Sequence, residues 1–277
     1  LSSAALRNML VPILEKLVTT GVEGDLGRAP TDLYGWGDKL ASKRGALLAL
    51  VGSDGNRLVG IAENFVKVVQ ALPPAMQQKL ADTSVPIHEL LARRWSPRAI
   101  DLAKPVARAQ LSALLEAARW APSCFNDQPW RYLVWDRFRD AASWQRAFQC
   151  LTPGNQAWVK NAPILLLATA GSAFGHDAKP NRWGPYDSGA ASENLCLQAM
   201  ALGLVAHQMG GFDVEAIRSG FAIPEAYACM AMIAVGHPGP IEVLNEEKQQ
   251  SERAPRRRRA LGESFFEAAW GAPVKTT

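Results

Sequence analysis

The chain is poor in cysteine and gives what it has no pattern. Cys124, Cys150, Cys196 and Cys229 are widely spaced with no C-x-x-C pair. The four histidines, His88, His176, His207 and His237, fall at no metal-ligand spacing. Both absences argue against a structural metal and for reduced thiols in a cytoplasmic setting. No apolar run approaches the roughly 20 residues needed to cross a bilayer, so no membrane partner is expected. The N-terminus begins at Leu1 without the charged-then-apolar-then-small order of a secretory signal. There is no G-x-G-x-x-G, no G-x-x-x-x-G-K-[ST], no G-x-S-x-G and no internal repeat. These gaps weigh against a Rossmann dehydrogenase, a P-loop enzyme, an α/β-hydrolase and a solenoid.

Over 277 residues, 48% are apolar and 20% charged, the balance of a globular protein able to bury a sizeable core. The net charge of +4 is local, since four of the cations are the run Arg256, Arg257, Arg258 and Arg259. No aromatic interleaving or reader motif accompanies that run, so no nucleic-acid partner is expected. A compact anion such as a phosphate monoester suits it better, with a solvated charge run as the alternative.

The texture divides the chain into residues 1–83 and 84–277. In the first part, Leu6, Leu10, Ile13, Leu14 and Leu17, and later Leu58, Ile61, Phe65, Val68, Val69 and Leu72, recur at helical spacing. This helical N-terminal appendage lacks residue types for chemistry, and packing, assembly or a protein partner are its possible roles. From Ser84, a short helix is predicted to reach Arg94 and to break at Trp95-Ser96-Pro97-Arg98. Arg94, Ser96 and Arg98 alternate, so an extended backbone would turn all three the same way and make an anion cradle. A helix is then predicted over Val106–Trp120, a strand over Trp130–Asp136 and a polar helix from about Phe138 to Gln149. A short helix from Pro153, a buried strand over Pro163–Ala170, a long loop over Phe174–Tyr186 and a small-residue helix over Asp187–Gly203 follow. A helix beginning at Asp213 and a strand over Ala228–Gly236 complete the pattern.

Two stretches stand out as ligand loops. Between Pro122 and Pro129, Ser123, Asn126 and Gln128 crowd donors and acceptors beside Trp120, Phe125 and Trp130, as a planar, heteroatom-edged ligand requires. A helix-to-strand loop tying down its own backbone explains the same residues. At Met209-Gly210-Gly211, paired glycines would let the backbone approach a ligand edge, or simply turn the chain.

Several longer stretches together resemble the FMN-dependent nitroreductase family. They are RWSPRAI at 94–100, EAARWAPSCFNDQPWRYLV at 116–134, GNQAWVKNAPILLLA at 154–168, YDSGAASENLCLQAMALGL at 186–204, HQMGGFD at 207–213 and the RRRR…FFEAAWG tail. They occur in family order over about residues 85–271. The resemblance implies an α+β fold, with a central, mostly antiparallel sheet flanked by helices, in an intertwined homodimer with FMN at the subunit interface. It also implies that Arg94 and Ser96, helped by Arg256 and Arg258, hold the phosphate, and that Trp95 touches the cofactor through its backbone. Arg98 would face the N1/O2 edge, Asn155 the ribityl or pyrimidine oxygens, and the Gly210 N–H would point at N5 between Met209 and Gly211. Pro122, Ser123 and Cys124 would cover the partner's cofactor, with Asn126 bracing them. The implied activity is ping-pong hydride transfer from NADH or NADPH through FMN to a small electron-poor acceptor, a nitroaromatic or quinone, with no obligatory catalytic side chain. Flavin fragmentation, dehalogenation or azoline oxidation on the same fold, or a flavin-binding scaffold that uses residues 1–83 to recruit a partner, are the alternatives.

Overall fold

A computed structural model describes residues 79–275. The predicted helices of the N-terminal appendage lie outside the described residues. Along the described part, α1 spans Glu89–Arg93, α2 Arg108–Arg119, β1 Trp130–Asp136, α3 Ala141–Gln149, α4 Pro153–Val159 and β2 Ile164–Gly171. After these come α5 Gly184–Ala201, β3 Val205–Met209, α6 Val214–Gly220, β4 Tyr227–Gly236 and α7 Glu246–Arg253.

The strands form one antiparallel sheet in the order β1-β2-β4-β3. The central strand β2 reads ILLLATAG and is buried along its whole length. Its alternation explains why. Leu165 and Leu167 join Trp135, Trp144, Trp158, Met232 and Ile217 on the face covered by α3, α4 and α6. Ile164, Leu166 and Ala168 join Leu111, Leu114, Leu195 and Ala199 on the face covered by α2 and α5. A strand covered on both sides has no polar face to show, hence its unbroken apolar run. The fold is α+β in three layers, as the sequence led us to expect. Among the described residues, no helix is long and apolar enough to cross a membrane.

Most elements fall where periodicity placed them, and the differences sit at their ends. The first helix starts at Glu89, not at Ser84, with the His88 ring accepting the Leu90 N–H as its cap. Pro86 lies between, and a proline restrains the residue before it to an extended conformation. The small-residue helix begins at Gly184, three residues earlier than expected, with Pro185 in its first turn, where a missing N–H costs nothing. Gly184 is needed there: a Cβ would run into the carbonyl oxygen of Gly171 at the end of β2. Strand β3 has no counterpart among the predicted elements, and neither does helix α7. Of its residues only Glu252 is buried, so it lacks the apolar stripe that announces a helix. Its start was legible, with Asn245 capping the Lys248 N–H and two glutamates in the first turn.

Candidate functional site

The extended run after α1 lies against β3. The His207 ring on β3 comes within 3.2 Å of the Pro97 carbonyl and packs on Trp158 of α4 with centroids 4.6 Å apart. Burial, with Arg98 adding to it, pushes the His207 imidazole down to about 4, so it is neutral at pH 7. Three residues further on, roughly 10 Å along the strand, comes the Gly210-Gly211 turn. One edge of the sheet therefore carries both the predicted anion cradle and the predicted glycine turn.

At the cradle, cations crowd together. Arg94 Nε lies 3.0 Å from Glu193 Oε1 on α5, and Arg98 Nη1 lies 3.6 Å from Glu252 Oε1 on α7. Arg256 donates to the carbonyls of Lys79, at 2.9 Å, and Ala92, at 2.6 Å, which carries the arginine run across the end of α1. Burial, then the fields of Arg94 and Arg258, lower the pKa of Arg256. Lys79 is likewise lowered by burial and by Arg98 and Arg256, with Glu252 opposing. Its ammonium sits 4.2 Å over the Trp95 ring. Five cations, Lys79, Arg94, Arg98, Arg256 and Arg258, thus share a neighbourhood with two carboxylates, Glu193 and Glu252. Cations forced into each other's fields leave a local excess that an anion relieves. Ser96 stands among them, partly buried.

At the turn, the two glycines differ. A Cβ at Gly210 would meet nothing within 4 Å, so the backbone there is open on one side. A Cβ at Gly211 would come within 2.7 Å of Asn155 Nδ2 and 2.8 Å of Thr152 Oγ1. Those two groups donate to the Gly211 carbonyl, at 2.9 Å from Asn155 and 3.1 Å from Thr152. Asn155 thus braces the turn as well as lying beside it. Met209 is buried in the core, which leaves only its backbone to border the turn.

The loop of residues 122–126 is elsewhere. It enters β1 at Trp130, and β1 and β3 are the two edge strands of the sheet. Three interstrand spacings, roughly 14 Å, separate those edges. The loop is rigidly built. Phe125, Asn126 and Gln128 have φ of 54°, 55° and 52°, a region side chains other than glycine rarely occupy. Hydrogen bonds hold the conformation: Gln128 N–H to Ser123 Oγ at 3.0 Å, and Cys124 N–H to Asp187 Oδ2 at 3.0 Å. Asp127 accepts from Gly175 N–H and from Asn181 Nδ2, tying the loop to the following long connection. The bracing expected of Asn126 runs through its backbone, which donates to Ser123 and accepts from Gln128 Nε2. Pro122 and Phe125 are exposed, and so is Trp120, whereas Trp130, read from sequence as ligand surface, belongs to the core.

The sequence reading passed over two groups at the cradle. Lys79 falls within the expected appendage of residues 1–83, and no element or site is predicted around Glu252. Nothing in composition or spacing marks either, because their partners are 154 to 177 residues away in the chain.

Comparison with known proteins places this geometry in context. A model of the nitroreductase family matches residues 91–237. A Thermus thermophilus NADH dehydrogenase is 31% identical over 189 residues, which cover 57% of this chain and 86% of that protein. Among solved structures, an oxidoreductase containing FMN is 34% identical with a TM-score of 0.65, covering 69% of this chain and 96% of that one. A Desulfovibrio desulfuricans protein described as a nitroreductase in complex with FMN is 26% identical with a TM-score of 0.53, covering 68% and 99% of the two chains.

Proposed function

The chain belongs to the nitroreductase family, and from that premise we propose that it is an FMN-dependent oxidoreductase working as a homodimer. The observation that carries the cofactor reading is the cluster of cations beside β3 together with the open glycine turn that follows the strand. Those features fit a ligand with a phosphate at one end and a flat, polar-edged ring at the other. When bound, FMN would supply two-electron chemistry, accepting hydride equivalents from NADH or NADPH and passing them to an electron-poor acceptor such as a nitroaromatic or quinone.

The chain's own residues supply position and field. Arg94, Ser96, Arg256 and Arg258 would hold the phosphate, since guanidinium forks and a hydroxyl match its oxygens. The extended backbone at Trp95 would border the cofactor. Arg98 would keep a fixed cation near the ring edge, favouring any state that places negative charge there. Gly210 would offer its N–H from the open side of the turn, and Asn155 and Thr152 keep that turn in place through Gly211. Met209 and Gly211 contribute only backbone. Because residues 122–126 lie at the far edge of the sheet, Pro122, Ser123 and Cys124 would cover the cofactor of the partner protomer. The bonds that fix this loop prepare it before assembly. His207 is held neutral and stacked, so it positions Pro97 and the backbone leading to Arg98 without trading protons at pH 7.

An absorption spectrum of the purified protein, before and after anaerobic NADPH, tests the proposal. Bound FMN whose visible absorbance bleaches with NADPH and returns with menadione or nitrofurazone is the expected result. A protein that takes up no added FMN would overturn it.

A further inference from the structure

Glu252 is a carboxylate where a cofactor site built from cations has least use for one. It is 6% exposed. Both carboxylate oxygens lie 3.2 Å from the Arg98 backbone N–H, and Oε1 is 3.6 Å from the Arg98 guanidinium. Ser251, its neighbour on α7, accepts from Arg98 Nη1 through Oγ at 3.4 Å and from Lys79 Nζ through its carbonyl at 3.2 Å. Helix α7 therefore meets Arg98 from one side and Lys79 from another. Burial pushes the Glu252 carboxyl up, and the Arg98 N–H, Lys79 and the Arg98 guanidinium pull it back. A backbone cap alone needs no charge, since a neutral amide oxygen accepts an N–H equally well in geometry. Burying a carboxylate is costly, and this one lies beside a cation.

We infer that Glu252 is a positioning residue that holds Arg98 in place and partly cancels its charge, with Lys79 as counterweight, so that this pair sets the reduction potential of the bound flavin. The inference rests on the FMN reading above and deepens it. Glu252 and Lys79 both lie outside residues 91–237, the stretch that matches the family model. The charge balance at Arg98 is thus set by parts of the chain that flank that stretch. Arg98 alone would favour negative charge on the ligand strongly; Glu252 weakens that preference and Lys79 restores part of it. The scale is appreciable. Through an effective dielectric of about 20, a unit charge changes a charge equilibrium roughly tenfold even from about 10 Å.

Glu252→Gln keeps an oxygen to accept the Arg98 N–H and removes only the charge. The midpoint potential of its bound FMN, measured by anaerobic dye-linked titration, should be more positive than wild type by the equivalent of about a tenfold change in oxidised-to-reduced ratio, about 30 mV for a two-electron couple. The melting temperature of the flavin-free variant should stay within a few degrees of wild type. Lys79→Met keeps an unbranched stem over Trp95 and removes a cation, so its midpoint should shift to more negative values. It also serves if the glutamine variant does not fold. Midpoints that stay at the wild-type value in the folded variants, with FMN bound and reducible, overturn the inference and leave the cofactor reading standing. A wild-type protein that takes up no FMN removes the cofactor reading, and this inference falls with it.

Discussion

The Arg98 guanidinium lies beside a buried carboxylate and, in the proposed function, would face the ring of the bound flavin, so the consequence of removing it has a definite sign. In Arg98→Ala the fixed cation is gone while Glu252 remains, and the bound flavin should become harder to reduce, by at least about a tenfold change in the equilibrium. Potentiometry checks this, and an unchanged midpoint would remove Arg98 from the ring edge. His207 gives a prediction of another kind. Its folded-state pKa is about 4 against an ordinary 6.5, because burial and then Arg98 disfavour the imidazolium. The unfolded chain takes up that proton as the pH falls through the ordinary imidazole range, and the folded chain does not until near the lower value. Stability from this group is complete above the ordinary range and is lost going down, by at most about 3 kcal/mol at 1.36 kcal/mol per unit. Urea midpoints at pH 7 and pH 4.5 should fall further for wild type than for His207→Gln, and equal losses would contradict the assignment. At this scale Arg94, Ser96, Arg98 and the arginine run were legible, because alternation and charge density are local signals. Glu252 was not, since what makes it notable is burial against a residue 154 positions away.

Among elements, the turn after β3 separates structure from function within two adjacent residues. Gly211 packs under Asn155 and Thr152, and an added Cβ would press on both. Gly211→Ala should therefore destabilise the flavin-free protein by about 1–3 kcal/mol, the usual cost of overfilling a packed place. Gly210→Ala has open space for its methyl group and should leave stability within about 0.5 kcal/mol of wild type while weakening FMN binding. Thermal melts and an FMN titration of the two variants check the contrast; equal melting losses would undo it. Three of the four strands followed from apolar periodicity, most plainly β2, whose unbroken run reports cover on both faces, whereas β3, the strand that leads into this turn, did not. Helix α7 escaped because an element held by one buried carboxylate shows no stripe. The loop at residues 122–126 was recognised as unusual from composition, but its left-handed residues could not be foreseen. They depend on Asp187, Gly175 and Asn181, which arrive from later in the chain.

For the whole molecule, the opposite placement of the cradle and the 122–126 loop leads to a test of assembly. If each cofactor lies between two protomers, a Gly210→Val protomer and a protomer with residues 123–125 replaced by glycine should each fail to retain FMN as homodimers. Paired in one dimer, they should recover one site of the two, because the intact turn of one meets the intact loop of the other. Flavin content near half of wild type in the isolated mixed dimer is the expected result, and none at all would argue for sites complete within one chain. The sequence by itself determined the layers of the described fold, the family and the cationic character of the site, since these are written in periodicity, motif order and charge density along short stretches. Only the tertiary structure decided which cations share a field, that α7 brings a carboxylate to Arg98, and that one predicted ligand loop stands at the far edge of the sheet. Those are facts of distance between residues remote in the chain, and distance is set by strand order and packing.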